Sequence, residues 1–265
     1  MPELPEVEAY RRLAETALHR PIAAVAVHDP RFVRGETSPP RLKRILVGAS
    51  FAAARRTGKL LVLDLVGTAA AFDHRLGVRF GMTGSLFVDG HSAVDELIYS
   101  AKSRGAHWDR FGVGFTDGGS LVVHDPRLLG GVTLDPDESV LGPDALTLTA
   151  AQLRRALEGS AAPLKARLMD QVRIAGLGNL LADEILWRAS LAPHRRAGSL
   201  TPAEIRRLHR HLRATLDELS ARGGSHLGDL MPARHPGGRC PRDGAALMRS
   251  TVGGRTSWWC PRHQH

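Results

Sequence analysis

Two periodicities divide the chain. Up to about residue 135 the apolar residues fall in short, β-branched-rich runs at 21–28, 44–54, 59–66, 69–73, 84–89, 111–116 and 119–124, broken by Gly, Asp and His. Runs of this length with turn residues between them predict strands, and their succession predicts an all-β unit, a sandwich or small barrel. Ahead of them Pro5 suits a first helical position. Val7, Tyr10, Leu13, Ala14, Ala17 and Leu18 then recur at helical spacing, which predicts an opening amphipathic helix. From about residue 140 the pattern turns helical. Thr149 is placed to cap 150–158 and Ser160 to cap a helix near 163–170, and another helix covers about 180–190. Thr201 with Glu204 forms a capping box, with Pro202 in the first turn, opening a long helix to about 222. The final stretch is rich in Gly, Pro and Arg and has few apolar residues, so it needs a staple to fold. There is no internal repeat.

Composition changes this picture in one respect. The chain has 265 residues, 43% hydrophobic and 24% charged, which excludes a disordered tail protein and provides for a real core. No run approaches the roughly 18 uninterrupted apolar residues of a membrane helix, and the opening residues Met1 to Glu6 are acidic where a secretory leader is basic. The expectation is a cytoplasmic protein. Thirty-six Lys and Arg against 27 Asp and Glu give a net charge of +9. That balance points to a polyanionic partner, most often nucleic acid, although 32 of the basic residues are Arg and an Arg-rich codon bias produces the same excess. From Ala221 onward there are seven Arg and four His against two Asp, a local basic patch.

Three constellations carry candidate chemistry. Cys240-Pro-Arg-Asp243 and Cys260-Pro-Arg-His263 are separated by sixteen residues, with Gly253-Gly254 as a turn between them. Two ligand pairs at this spacing are the layout of a tetrahedral zinc ribbon, with His265 as a competing fourth ligand. Gln171-Val-Arg-Ile-Ala-Gly176-Leu-Gly178-Asn179 joins two short helices. Asn179 is placed to cap the second, and its free N–H groups form either a phosphate site or an ordinary connecting turn. At the start, Met1 precedes the small residue Pro2, so processing would leave proline first. Its secondary amine would titrate near about 7.7–8.0, which makes it a nucleophile at neutral pH, and the carboxyl of Glu3 follows it.

Together these residues resemble one family. Met1-Pro-Glu-Leu-Pro-Glu-Val-Glu8, Arg56-Thr-Gly-Lys59 and Gly81-Met82-Thr-Gly-Ser-Leu86 resemble segments of the formamidopyrimidine-DNA glycosylase and endonuclease VIII family. So do Asp125-Pro-Arg127, Leu168-Met-Asp-Gln171 through Gly178-Asn179 to Glu184, and Arg255, all in family order. The resemblance implies an α+β multidomain architecture: an N-terminal β-sandwich with its opening helix (1–135), a helical helix–two-turn–helix domain (136–225) and a zinc-finger hairpin (226–265). It implies a bifunctional glycosylase and abasic-site lyase acting, as a monomer, on double-stranded DNA with damaged bases or abasic sites. Pro2, Glu3 and Lys59 would be catalytic. Asn179, Arg255, Arg127 and Met82 would bind DNA, and Cys240, Asp243, Cys260 and His263 would hold a structural Zn2+.

The departures from the family bear on lesion choice. Leu128 and Leu129 stand where Arg and Phe are usual, which removes a cation and an aromatic wedge. Leu181 replaces a frequent Tyr, and the stretch from Gly223 to Cys240 is short where relatives cap 8-oxoguanine. Two alternatives follow: a specialist for oxidised pyrimidines or bulky adducts, and a paralogue that senses lesions without cutting.

Overall fold

A computed structural model of the chain describes residues 2–67, 73–94 and 105–265. Two compact units account for them. The first is Glu6–Glu138 together with Pro2, and the second is Glu3–Pro5 with Ser139–His265.

The first unit opens with α1 (Leu4–Ala14), whose Val7, Tyr10 and Ala14 turn inward, followed by a single 3-10 turn that buries Ala17. The strands are β1 (Ile22–Val27), β2 (Ser50–Thr57), β3 (Leu60–Val66), β4 (Arg75–Arg79), β5 (Ser85–Val88), β6 (Asp109–Phe115), β7 (Ser120–His124) and β8 (Gly131–Leu134). They form two four-stranded antiparallel sheets, β1-β6-β7-β5 and β2-β3-β4-β8. Alternate residues of both, among them Val113, Leu121 and Val123 of one and Leu61, Leu63 and Val78 of the other, share one core. This is the expected sandwich, because period-two alternation leaves each sheet one apolar face to bury.

The run at 44–54 is not one strand. Its first part ends helix α2 (Pro39–Leu46), which Ser38 caps and Pro39-Pro40 opens, burying Leu42, Ile45 and Leu46 at helical spacing. Gly48 at φ +83° turns the chain into β2. The run at 69–73 falls largely on 68–72, outside the described residues. Strands β4 and β8 carried no apolar-run signal. Arg75–Arg79 has Gly77 at its centre, where a Cβ would stand 2.7 Å from Pro136, and β8 is only Gly131–Leu134.

The second unit holds α3 (Ala150–Leu157), α4 (Leu164–Leu168), α5 (Asn179–Arg188), α6 (Pro202–Arg222) and the hairpin β9 (Met248–Val252) with β10 (Arg255–Trp259). Thr149 with Gln152 and Thr201 with Glu204 form complete capping boxes. Glu204 also holds Arg195, and these contacts draw its carboxyl down to about 2, with Arg195 the largest cause. Ser160 does not cap α4: Pro163 stands at that N-cap, and the Ser160 hydroxyl accepts from the Ala162 N–H instead. Leu153, Leu157, Leu181, Ile185, Leu208, Leu212 and Leu216 pack one helical core, which Leu4 joins. The hairpin has a small core of its own, with Trp187, Leu230, Cys240, Trp258 and Cys260. Among the described residues no helix is long and apolar enough to cross a membrane.

Candidate functional site

In the first unit, Lys59 sits half-buried at the tip of the β2–β3 hairpin, beside Gly58 at φ +58°, whose carbonyl accepts from the Arg56 guanidinium at 2.7 Å. Pro2 is buried, and Met1 lies outside the described residues. Met82 and Arg127 stand on two loops that are fastened together. The Thr83 hydroxyl donates to Asp125 Oδ1 at 2.6 Å, with both residues fully buried. Asp125 Oδ2 accepts from the Gly130 N–H at 2.7 Å, closing a tight loop around Arg127, Leu128 and Leu129. Arg110 donates to the carbonyls of Asp125 and Pro126, and Arg34 to those of Leu128 and Gly130, so the loop is gripped from both ends. Gly81 permits the close approach, since a Cβ there would lie 2.5 Å from the Leu129 carbonyl carbon. Leu128 adopts φ +54°, a conformation that costs an L-residue about 1–2 kcal/mol. The outcome is an exposed Arg127 and a Leu129 that is 49% exposed on a braced loop.

In the second unit, the free N–H groups at the start of α5 are taken by a carboxylate of the chain itself. Glu3 is fully buried. Its Oε2 accepts from the N–H groups of Gly178 (2.8 Å) and Leu181 (3.2 Å), and its Oε1 from that of Leu180 (2.8 Å). A carboxylate on the free N–H groups of a helix start satisfies them and complements the positive end of the dipole. Gly178, the N-cap, leaves room for it, because a Cβ there would stand 2.3 Å from the Glu3 carboxyl carbon. Asn179 is therefore not the cap. It is the first helical residue, and its Oδ1 is buried with no hydrogen-bond partner among the described residues. The Gln171 side chain braces the preceding turn, donating to the Leu177 and Met169 carbonyls and accepting from the Gly176 N–H.

Sequence reasoning missed the centre of this unit. Asp183, 1% exposed, pairs with Lys165 at 2.7 Å and Arg234 at 2.6 Å, and accepts from the Ser257 hydroxyl at 2.8 Å and the Trp258 N–H at 3.2 Å. Lys165, fully buried, also donates to the Thr256 carbonyl at 2.8 Å. One carboxylate thus joins α4, α5 and β10, and holds the hairpin whose tip carries the exposed Arg255. The available signal was a charged residue at a position where the helical pattern demands an apolar one.

Cys240, Asp243, Cys260 and His263 converge, with one ligand atom from each lying within 4.8 Å of the others. Cys260 Sγ is 3.4 Å from Asp243 Oδ2, Cys240 Sγ is 3.8 Å from His263 Nδ1, and His263 Nδ1 is 2.7 Å from Asp243 Oδ2. Ligands at about 2.0–2.3 Å from a tetrahedral zinc are themselves about 3.3–3.8 Å apart, so the donor set fits a metal with small adjustments. The Ala245 N–H and then His263 hold the Asp243 carboxyl well below its usual range, in the charged form a metal needs. Burial pushes the Cys260 thiol up to about 11. His265 is not part of the cluster: it is exposed, and its carbonyl accepts from the Ala192 N–H.

The family model described as the formamidopyrimidine-DNA glycosylase N-terminal domain matches residues 1–132, and that of the H2TH domain matches 141–229. The chain belongs to the formamidopyrimidine-DNA glycosylase family. It is 33% identical to the formamidopyrimidine-DNA glycosylase of Paracoccus denitrificans, over 98% of this chain and 99% of that one. It is 35% identical to that of Thermus thermophilus, over 100% and 98%. Among solved structures, Lactococcus lactis Fpg bound to DNA with an abasic site superposes with a TM-score of 0.83 at 26% identity, covering all of both chains. The same enzyme with Fapy-dG DNA also gives 0.83, over 99% of this chain and 100% of that one. The sandwich, the H2TH helices and the hairpin with its Cys/His cluster are the architecture of this glycosylase family.

Proposed function

We propose that the chain is a bifunctional DNA glycosylase and abasic-site lyase of base-excision repair, a monomer acting in the cytoplasm on double-stranded DNA with damaged bases or abasic sites. The domain division that goes with this reading is 1–135, 136–225 and 226–265. The observation that carries it is Glu3: the carboxylate that follows the nucleophilic Pro2 is anchored by three N–H groups at the H2TH helix start. Two acceptor oxygens offer about four lone-pair positions, so the anchor leaves capacity to exchange a proton with a sugar.

The chemistry follows from a secondary amine. The damaged nucleotide leaves the stack to reach it. The Pro2 nitrogen attacks C1′, the C1′–base bond breaks, and the base departs with the electron pair and a proton. The nitrogen lone pair then opens the sugar ring, with O4′ taking a proton, to give a C1′ iminium. This electron sink acidifies C2′–H. Loss of that proton expels the 3′ phosphate, and a second elimination can expel the 5′ phosphate. Glu3 serves proton transfer at O4′ and in the elimination. Lys59 offsets developing charge near the flanking phosphates. Asn179 and Arg255 grip phosphates, while Met82 and Arg127 fill the vacated stack and meet the orphaned base.

Borohydride reduction with abasic duplex should yield one enzyme–DNA adduct, and peptide mapping should locate it on Pro2. An adduct on Lys59 overturns the assignment. With no aromatic beside Arg127 and a short 223–240 segment, selection leans on how readily a damaged pair unstacks. In a single-lesion panel, 8-oxoguanine opposite cytosine should therefore be slower than ring-opened purines, oxidised pyrimidines or abasic sites. The reverse order removes this part of the reading.

We assign the Cys240, Asp243, Cys260 and His263 cluster to a structural Zn2+, which when bound supplies a fixed node for the hairpin that presents Arg255. Cys260→Ala should lose metal and DNA affinity together, whereas Arg255→Ala should lose affinity and keep the metal. Elemental analysis of untagged protein with a DNA titration checks both. Well below one zinc per chain despite added zinc overturns the assignment.

A further inference from the structure

The arginines of the second unit fall into two groups. Those near carboxylates are used: Arg188 pairs with Glu184, Glu218 and Asp229, Arg195 with Glu204, and Arg234 with Asp183. Arg206, Arg210 and Arg213 of α6, and Arg154 and Arg155 of the packed helix α3, have no carboxylate within ion-pair distance among the described residues. Arg154, Arg155, Arg206 and Arg210 are exposed and Arg213 is half-exposed.

At about 100° per residue, Arg206, Arg210 and Arg213 lie within roughly 60° of one another, on the side of α6 away from the stripe of Leu208, Leu212, Leu216 and Leu219. Arg206–Arg210 and Arg210–Arg213 are like-charge neighbours at i,i+4 and i,i+3, an arrangement that weakens a helix unless an anion covers it. Asp217 continues the ridge toward the C-terminus without pairing to Arg213. Deeper in the same helix the half-buried His211 is held below its usual range, by burial first and then by Arg210, Arg242, Arg188 and Arg207.

We propose that the Arg206–Arg210–Arg213 ridge is a second DNA-binding surface, separate from the lesion-reading residues, which holds the phosphate backbone of undamaged duplex. Charge complementarity selects this occupant, and the inference rests on the reading that the chain acts on duplex DNA. The three guanidiniums span about 10 Å of helix axis, the length of three phosphate steps at about 3.4 Å along one strand. Among the described residues none of them is spent on a carboxylate, so contact with phosphate breaks no ion pair seen there.

The test uses the metal-loaded full chain and the triple variants Arg206→Glu/Arg210→Glu/Arg213→Glu and Arg206→Gln/Arg210→Gln/Arg213→Gln. Binding to a long undamaged duplex is titrated across salt concentrations. Removing three phosphate contacts should make the slope of log K against log salt less negative by about 2–3 and weaken binding at least tenfold at physiological salt. Borohydride trapping on a short abasic duplex, just long enough for the lesion site, should be unchanged. An unaltered salt slope in the folded Gln variant overturns the proposal. A parallel fall in short-duplex trapping also overturns it, by assigning the ridge to the lesion site. Wild-type chain that fails to trap any abasic duplex refutes the glycosylase reading instead, so the two failures are distinguishable.

Discussion

Glu3→Gln is expected to lower base excision by about 10²–10⁴-fold, the range lost when a positioned acid–base group is removed. The substitution is nearly isosteric, but an amide offers one acceptor oxygen and an NH2 group. At least one of the N–H groups of Gly178, Leu180 and Leu181 would then face a donor in a site closed to water. A buried unsatisfied N–H costs about 1–3 kcal/mol, so the start of α5 should loosen together with the chemistry. Single-turnover excision measures the first effect, and hydrogen exchange at residues 178–181 the second. Glu3→Asp keeps the charge but shortens the reach, and should restore little of either. Wild-type excision in Glu3→Gln would remove Glu3 from the mechanism.

The largest expected loss of stability is at Asp183. Burial draws the Lys165 ammonium below the usual lysine range, and Asp183 is the chief group opposing that shift. Desolvation therefore exceeds attraction for this lysine. Between the lowered folded value and about 10.5 the unfolded chain binds more protons, so folding gains stability as pH rises through that window. Asp183→Asn would leave a fully buried ammonium beside Arg234 with no carboxylate in contact and only the charge of Glu3 still acting on it, at a cost of about 3–5 kcal/mol. The melting transition of the second unit should fall by roughly 6–20 °C. Adding Lys165→Met should recover part of that loss, because it removes one of the stranded charges. No recovery would mean that the lost bonds to Ser257 and Trp258 dominate instead.

Much of this architecture is written locally. The capping boxes Thr149/Gln152 and Thr201/Glu204, the leucine stripe of α6 and the Gly253-Gly254 turn depend on residues within a few positions of one another. Local chemistry of that kind is readable from a single chain. The paired Cys-Pro-Arg spacing likewise foretold the Cys240, Asp243, Cys260 and His263 cluster, because each knuckle is itself a local turn. What the tertiary structure alone decided involves partners far apart in the chain. Asn179 looked like a cap because local rules favour it, yet Glu3 arrives from 175 residues away to take the Gly178 N–H. The apolar run at 44–54 read as a strand until the packing of Leu42, Ile45 and Leu46 selected a helix for its first part. Asp183 joins Lys165, Arg234 and β10 in a buried network that no spacing encodes. A buried charge is stable only where the fold brings its counter-charge and donors together, so its position is a property of the packed chain.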